Sequence, residues 1–254
     1  MHRLHRYFQP TSCPELSYVI GAVLGDGYVT EDRGRGIVGF TNKDKFLLEH
    51  FLVCISRILN TRRAGRITSG TRYGVLKATV GSRLLFLFLK KPLAEIAPFI
   101  EQEPAAFISG FFDAEGHATV ALSHGRLSVI VGASNTDLEV LEYIFLLLRR
   151  RFGITCHITA SRRRSPMFVR GQRVEFPKTL YRLSISRFAD VQTFMRTIGF
   201  TSKQKQNRLE DGVYLLRTYG SRRAAPFWHR SYTKMGSRWC KIAGHVVDGG
   251  PGET

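Results

Sequence analysis

Two stretches of the chain, 46–60 and 138–153, carry apolar residues at helical spacing and predict amphipathic helices. Each leads into a basic, strand-like stretch, 66–80 after the first and 155–185 after the second. Each series closes on a further apolar segment, 84–99 or 188–200. Ahead of each lies an apolar run broken by small residues, 17–30 and 106–120. The two series superimpose. Gly21 falls on Gly110, Gly25 on Ala114, Asp26 on Glu115 and Gly27 on Gly116. Further on, residues 40–44 fall on 133–137. The pattern predicts helix, strand pair, helix, strand pair, helix, stated twice. Strands grouped between helices argue for an α+β fold rather than a parallel doubly wound sheet. Thr41 and Ser134 precede the two helices with an acid three residues on, Asp44 and Asp137, in the manner of a capping box. The acidic stretch 101–105 reads as a linker. The units are therefore 1–100 and 101–211. Residues 212–254 have no counterpart in the repeat and form a basic extension that holds both tryptophans.

Charge adds a partner to this outline. Among 254 residues, 38 are Lys or Arg and 20 are Asp or Glu, a formal net charge of +18. The isoelectric point is near 10.3. Such charge speaks to partners rather than fold. Nucleic acid comes first, an anionic membrane surface second, and a merely solvated or ribosomal basic protein third. The longest apolar runs are far short of a membrane span, and residues 1–15 lack the apolar centre of a signal peptide. The four cysteines are scattered and form no CxxC pair, so the expectation is a soluble, intracellular protein with reduced thiols and no zinc ribbon. The histidines fall in no metal spacing, and neither a phosphate-binding glycine loop nor a GxSxG elbow is present.

The chemistry lies in the repeat. Gly21 and Gly25, like Gly110 and Ala114, sit four residues apart and share a helical face. Small residues there let two helices approach closely. Gly27 and Gly116 are read as left-handed C′ residues that end those helices. Asp26 and Glu115 then lie side by side at two helix C-termini. That is a poor place for an acid: the helix end opposes a carboxylate by roughly 0.3–1 kcal/mol, and the two repel each other. A cation between them resolves the conflict. Mg²⁺, or another divalent ion, is commonly held by one or two carboxylates plus substrate phosphates.

Residues 19–27 (VIGAVLGDG) and 108–116 (SGFFDAEG after Ile108) resemble the two motifs of single-chain LAGLIDADG homing endonucleases. The resemblance covers roughly 15–211. It implies two pseudo-symmetric αββαββα units packed through the motif helices, with antiparallel sheets forming a saddle over double-stranded DNA. It also implies a monomer that makes a staggered double-strand break. Asp26 and Glu115 become the metal-binding catalytic acids, with Gly25 and Ala114 beside them in the metal site. Asn42 and Asn135 match the position that usually carries Gln and places water. Lys203, in a KQKQ-type segment, matches an active-site lysine. The expected DNA surface in the first unit is Arg33, Arg35, Arg66, Thr68, Arg72, Tyr73 and Lys77. In the second it is His117, Thr119, Arg126, Ser128, Arg162, Arg163, Arg164, Arg170, Arg173 and Arg182. Most basic contacts of this kind meet phosphate; a few read bases. Two other readings use the same scaffold: a maturase-like protein that binds its host intron RNA, and a DNA-binding regulator without activity. Retention of both acids argues against the second.

Overall fold

The computed structural model describes residues 8–69, 74–161, 167–169, 172–174, 179–235 and 238–242. For 167–169, 172–174, 234–235 and 238–240 the description is of backbone alone. The first unit runs α1 (Pro14–Leu24), β1 (Gly27–Asp32), β2 (Arg35–Asn42), α2 (Lys45–Ile58), β3 (Arg66–Ser69), β4 (Leu76–Gly81), α3 (Arg83–Leu89) and α4 (Leu93–Gln102). The second runs α5 (Pro104–Glu115), β5 (Gly116–Ser123), β6 (Arg126–Asn135), α6 (Leu138–Phe152), β7 (His157–Ser161), β8 (Met167–Val169), β9 (Gln172–Val174), β10 (Leu180–Ile185) and α7 (Phe188–Thr197). There follow α8 (Lys203–Ser231) and a hairpin, β11 (Tyr232–Met235) with β12 (Arg238–Lys241). The expected linker is instead a helical corner. Glu103 alone separates α4 from α5, and Pro104 starts the new helix.

Each unit builds one antiparallel four-stranded sheet, ordered β1-β2-β4-β3 and β5-β6-β10-β7. The orders are the same once β8 and β9, which pair only with each other, are set aside. Each first hairpin turns through two residues with positive φ: Arg33 and Gly34 (49°, 76°), then His124 and Gly125 (50°, 70°). This left-handed pair matches the twist of the strands it joins. One face of each sheet is apolar and buried. Val38, Phe40, Ala78 and Val80 line it in the first unit, and Ala118, Val120, Val129 and Val131 in the second.

The motif helices α1 and α5 make the densest contact between elements. Both are buried along most of their length. A Cβ on Gly21 would strike the carbonyl of Phe107, and one on Gly110 would strike that of Tyr18. Glycine at the crossing is thus demanded by space, as expected. The glycines after the acids have a different cause from the one expected. Gly116 is extended (φ −85°, ψ 163°), and neither it nor Gly27 has positive φ. The second motif passes straight from helix into strand, and the first does so through Gly25 and Asp26. A Cβ on Gly27 would lie 2.4 Å from Cα of Val23, and one on Gly116 would lie 2.5 Å from the carbonyl oxygen of Phe112. The fold needs no side chain there, rather than a left-handed turn.

The capping boxes are likewise absent. Thr41 and Ser134 lie within strands, and the caps are the acids themselves. The Asp44 side chain accepts from the amide of Phe46, and that of Asp137 from the amide of Val140. No helix among the described residues is long and apolar enough to cross a membrane.

Candidate active site

Asp26 stands one residue beyond the Gly25 cap of α1 and Glu115 is the last residue of α5, so the helix crossing brings the two carboxylates together. A Cβ on Gly25 would lie 2.5 Å from the Ala114 Cβ and 3.1 Å from Cγ of Glu115. This close packing carries the backbone of the first motif against the second acid. Burial raises the pKa of Asp26. Burial, and then the charge of Asp26, push that of Glu115 up to about 7. Two half-buried acids, both raised by burial and one of them raised further by the other's charge, are a site awaiting positive charge.

One cation is supplied by the chain. Lys205, on the first turn of α8, donates to the carbonyls of Phe112 (3.0 Å) and Asp113 (2.7 Å) at the end of α5. Burial lowers its pKa, while Asp113, Asp26 and Glu115 pull it back up. Lys203 does not reach the acids. Its ammonium lies 5.1 Å from the centre of the Phe46 ring, beside Asp44 in an open surface hollow. Asp113 fixes the segment that delivers Lys205. This fully buried carboxylate accepts from the amides of Thr201 (3.0 Å) and Ser202 (3.1 Å) and from the Tyr18 hydroxyl (2.9 Å). It thereby ties α1, α5 and the start of α8 in one place. A buried polar side chain in the second motif, where the first motif has Leu24, was the available sign of it.

The two asparagines are not equivalent. Asn135 donates to Oε1 of Glu115 at 3.3 Å and accepts from the amide of Asp137 at 2.9 Å. Asn42 makes only the second kind of bond among those described, to the amide of Asp44 at 3.0 Å. Beside Asp26 the comparable support is Thr41, whose hydroxyl donates to the Asp26 carbonyl at 3.0 Å. Among the described residues no three His, Cys, Asp or Glu groups cluster as a metal site. The two carboxylates are hard oxygen ligands, of the kind that suit an oxygen-binding divalent cation better than zinc.

Strand alternation sorts the expected contact residues. Arg35, Arg66, Thr68 and Lys77 fall on the face of the first sheet opposite its core, along with Tyr28, Thr30 and Thr79. His117, Thr119, Ser128, Arg126 and Arg182 do the same in the second, along with His157 and Thr159. Arg33 stands in the β1–β2 turn. Arg72, Tyr73, Arg162, Arg163, Arg164 and Arg170 lie outside the described residues, as does the Arg173 side chain. Next to each acid an aromatic ring lies over a glycine of the neighbouring strand, Tyr28 over Gly39 and His117 over Gly132. Burial first, then the charge of Arg182, lower the His117 pKa, so its ring is neutral on this face.

Two antiparallel sheets joined through crossed, glycine-notched helices with an acid at each end define a two-unit, single-chain protein of the LAGLIDADG fold. Residues 102–199, within the second unit, match the family model of the LAGLIDADG-like domain. A protein of Methanocaldococcus jannaschii, described only as uncharacterized, is 29% identical over 208 residues, covering 81% of this chain and 73% of its own length. The homing endonuclease I-DmoI in complex with DNA and Ca superposes with a TM-score of 0.53 at 21% identity, over 78% of this chain and 97% of its own. Its complex with DNA and Mn gives 0.51 at 23% identity, over 73% and 96%. These likenesses establish the fold.

Proposed function

We propose that this protein is a homing-type DNA endonuclease, a monomer encoded within an intron, that cuts both strands of one long asymmetric site. The observation that carries the reading is the pairing of Asp26 with Glu115, both driven toward protonation by burial, where two basic sheet faces begin. Asp26 and Glu115 would hold a divalent ion, most simply Mg²⁺, with the Gly25 and Ala114 backbone beside it. That ion, when bound, supplies charge that stabilises the attacking and leaving oxygens of a phosphodiester. Lys205 holds a cation beside the same two acids and so stabilises charge developing on a scissile phosphate. Asn135 orients Glu115, and Thr41 fixes the backbone of Asp26. The structural neighbour I-DmoI is seen with DNA and divalent metals, which supports the substrate and cofactor class. The β8–β9 insertion in one unit alone supports unlike half-sites.

The test is incubation with Mg²⁺ and a plasmid library of candidate sites, followed by sequencing of the ends. One non-palindromic site with a short stagger is the expected result. Asp26→Asn and Glu115→Gln should each reduce cutting by at least roughly a thousandfold while duplex binding persists. Cutting by either variant at the wild-type rate would overturn the site. Tight binding to host intron RNA with no DNA cutting would turn the reading to the maturase.

A further inference from the structure

The chain from 212 to 242 contains seven Lys or Arg and no Asp or Glu. It is not a loose tail. The first half of α8 crosses the second sheet's core face, where Gly212 leaves room for Val120 and Val129; a Cβ there would lie 2.8 Å and 2.7 Å from their methyls. At Gly220 the helix breaks, with φ 69° and ψ 169°. The segment beyond is anchored by Ala224 and Trp228, both fully buried. Tyr232 stacks on Trp228 with ring centres 3.8 Å apart and bonds to Asp211 at 2.6 Å. Lys241 closes the hairpin on the same Asp211 at 2.7 Å.

The break changes where the positive charge goes. Arg222 comes round the edge of the sheet to the β5–β6 turn. There it lines an open hollow of about 690 Å³ with Ser123, His124, Arg126 and Ser128. Ser123, Arg126 and Ser128 belong to the sheet face turned away from the core. That face therefore continues past the end of its own strands onto α8. Arg222 and Arg223 are both exposed, and neither has a carboxylate partner among the described residues.

We infer that the extension beyond Gly220 is a second DNA-contacting element, in which Arg222 and Arg223 grip backbone phosphates at the outer end of the half-site read by the second unit. This rests on the reading of the protein as a DNA-binding enzyme. Rigid anchoring matters here, because an arginine carried on an ordered helix gives up little freedom on binding. Phosphate contact positions the protein without reading bases, so the contact should appear on any duplex.

The experiment follows binding of a labelled duplex of about 40 bp and arbitrary sequence between 50 and 200 mM salt. Replacing Arg222 and Arg223 together by Ala should weaken binding about tenfold and flatten the log–log salt slope by about one to two units. Replacing both by Lys should restore most of the affinity, since phosphate needs charge more than geometry. Replacing Arg149 and Arg150 by Ala removes the same charge from α6, on the far side of the sheet, and should leave the slope unchanged. An unchanged slope in the Arg222/Arg223 variant, or an equal loss in the α6 variant, overturns the inference while leaving the enzyme reading intact. Failure of the wild-type chain to bind duplex at all overturns both.

Discussion

The two units share their geometry and divide their chemistry. Both cross through glycine, both start a strand straight after the acid, and both order their strands alike. Around the acids they part. Glu115 is held by Asn135, whereas Asp26 is supported through its backbone by Thr41. The half-buried Lys205 comes from the start of α8, after α7, and the first unit offers no counterpart in 98–104. The connection between the outer strands is short in the first sheet and carries an added hairpin in the second. Duplication thus fixes the frame, while the groups that tune reactivity and reading sit where the copies differ.

The sharpest test of that division is the lysine pair. Lys205→Met should lower cutting about 10²–10³-fold, as expected for loss of a single group that stabilises transition-state charge. Lys203→Met should change it less than about twofold, because its ammonium rests on Phe46. Rates measured under single-turnover conditions decide between them; equal losses would break the distinction. A smaller effect separates the asparagines. Asn135→Ala removes a partner of Glu115 and should lower cutting roughly tenfold, with an altered pH profile. Asn42→Ala loses only a turn bond and should be read mainly in stability, at about 1 kcal/mol.

The smallest expected effect is on stability against pH. The Glu115 carboxyl titrates at about 7 in the folded chain, against 4.5 ordinarily. Between those values the folded protein keeps a proton that the unfolded chain has lost. Its stabilising contribution is therefore present below about pH 4.5 and lost as pH rises through 7. Asp26 shifts in the same direction. Water still reaches these groups, so the screened effect is about 1 kcal/mol, or about 2–4 °C in melting temperature between pH 5 and 8 without metal. Added Mg²⁺ should reduce that loss. A melting temperature that climbs over this range would contradict the burial of the pair.

The frame was legible because it rests on spacing. Residues four apart on a helix predicted the crossing at Gly21 and Gly110. Strand alternation then placed Arg35, Arg66, Thr68 and Lys77 together on one face once the register was known. What escaped the sequence turned on phase. Lys203 and Lys205 are two residues apart, about 200° around a helix of 3.6 residues per turn, so they point to opposite sides. Only the start of α8 says which one faces the acids. The same uncertainty put Thr41 and Ser134 at helix caps when they lie within strands. Gly27 and Gly116 misled differently. Glycine signals either a left-handed turn or a lack of room, and only contact with Val23 and Phe112 tells them apart.

Asp113, holding the amides of Thr201 and Ser202, also sets a schedule for synthesis. The ribosome completes both acids by residue 115, but Lys205 emerges 90 residues later (205 minus 115). At about 5–20 residues per second that is a delay of roughly 5–20 s. Through that interval the nascent chain has its acidic pair and lacks the lysine and the turn that seats it. A chain that stalls or is truncated before Thr201 is left with its two acids and without the lysine and the turn that complete the proposed centre.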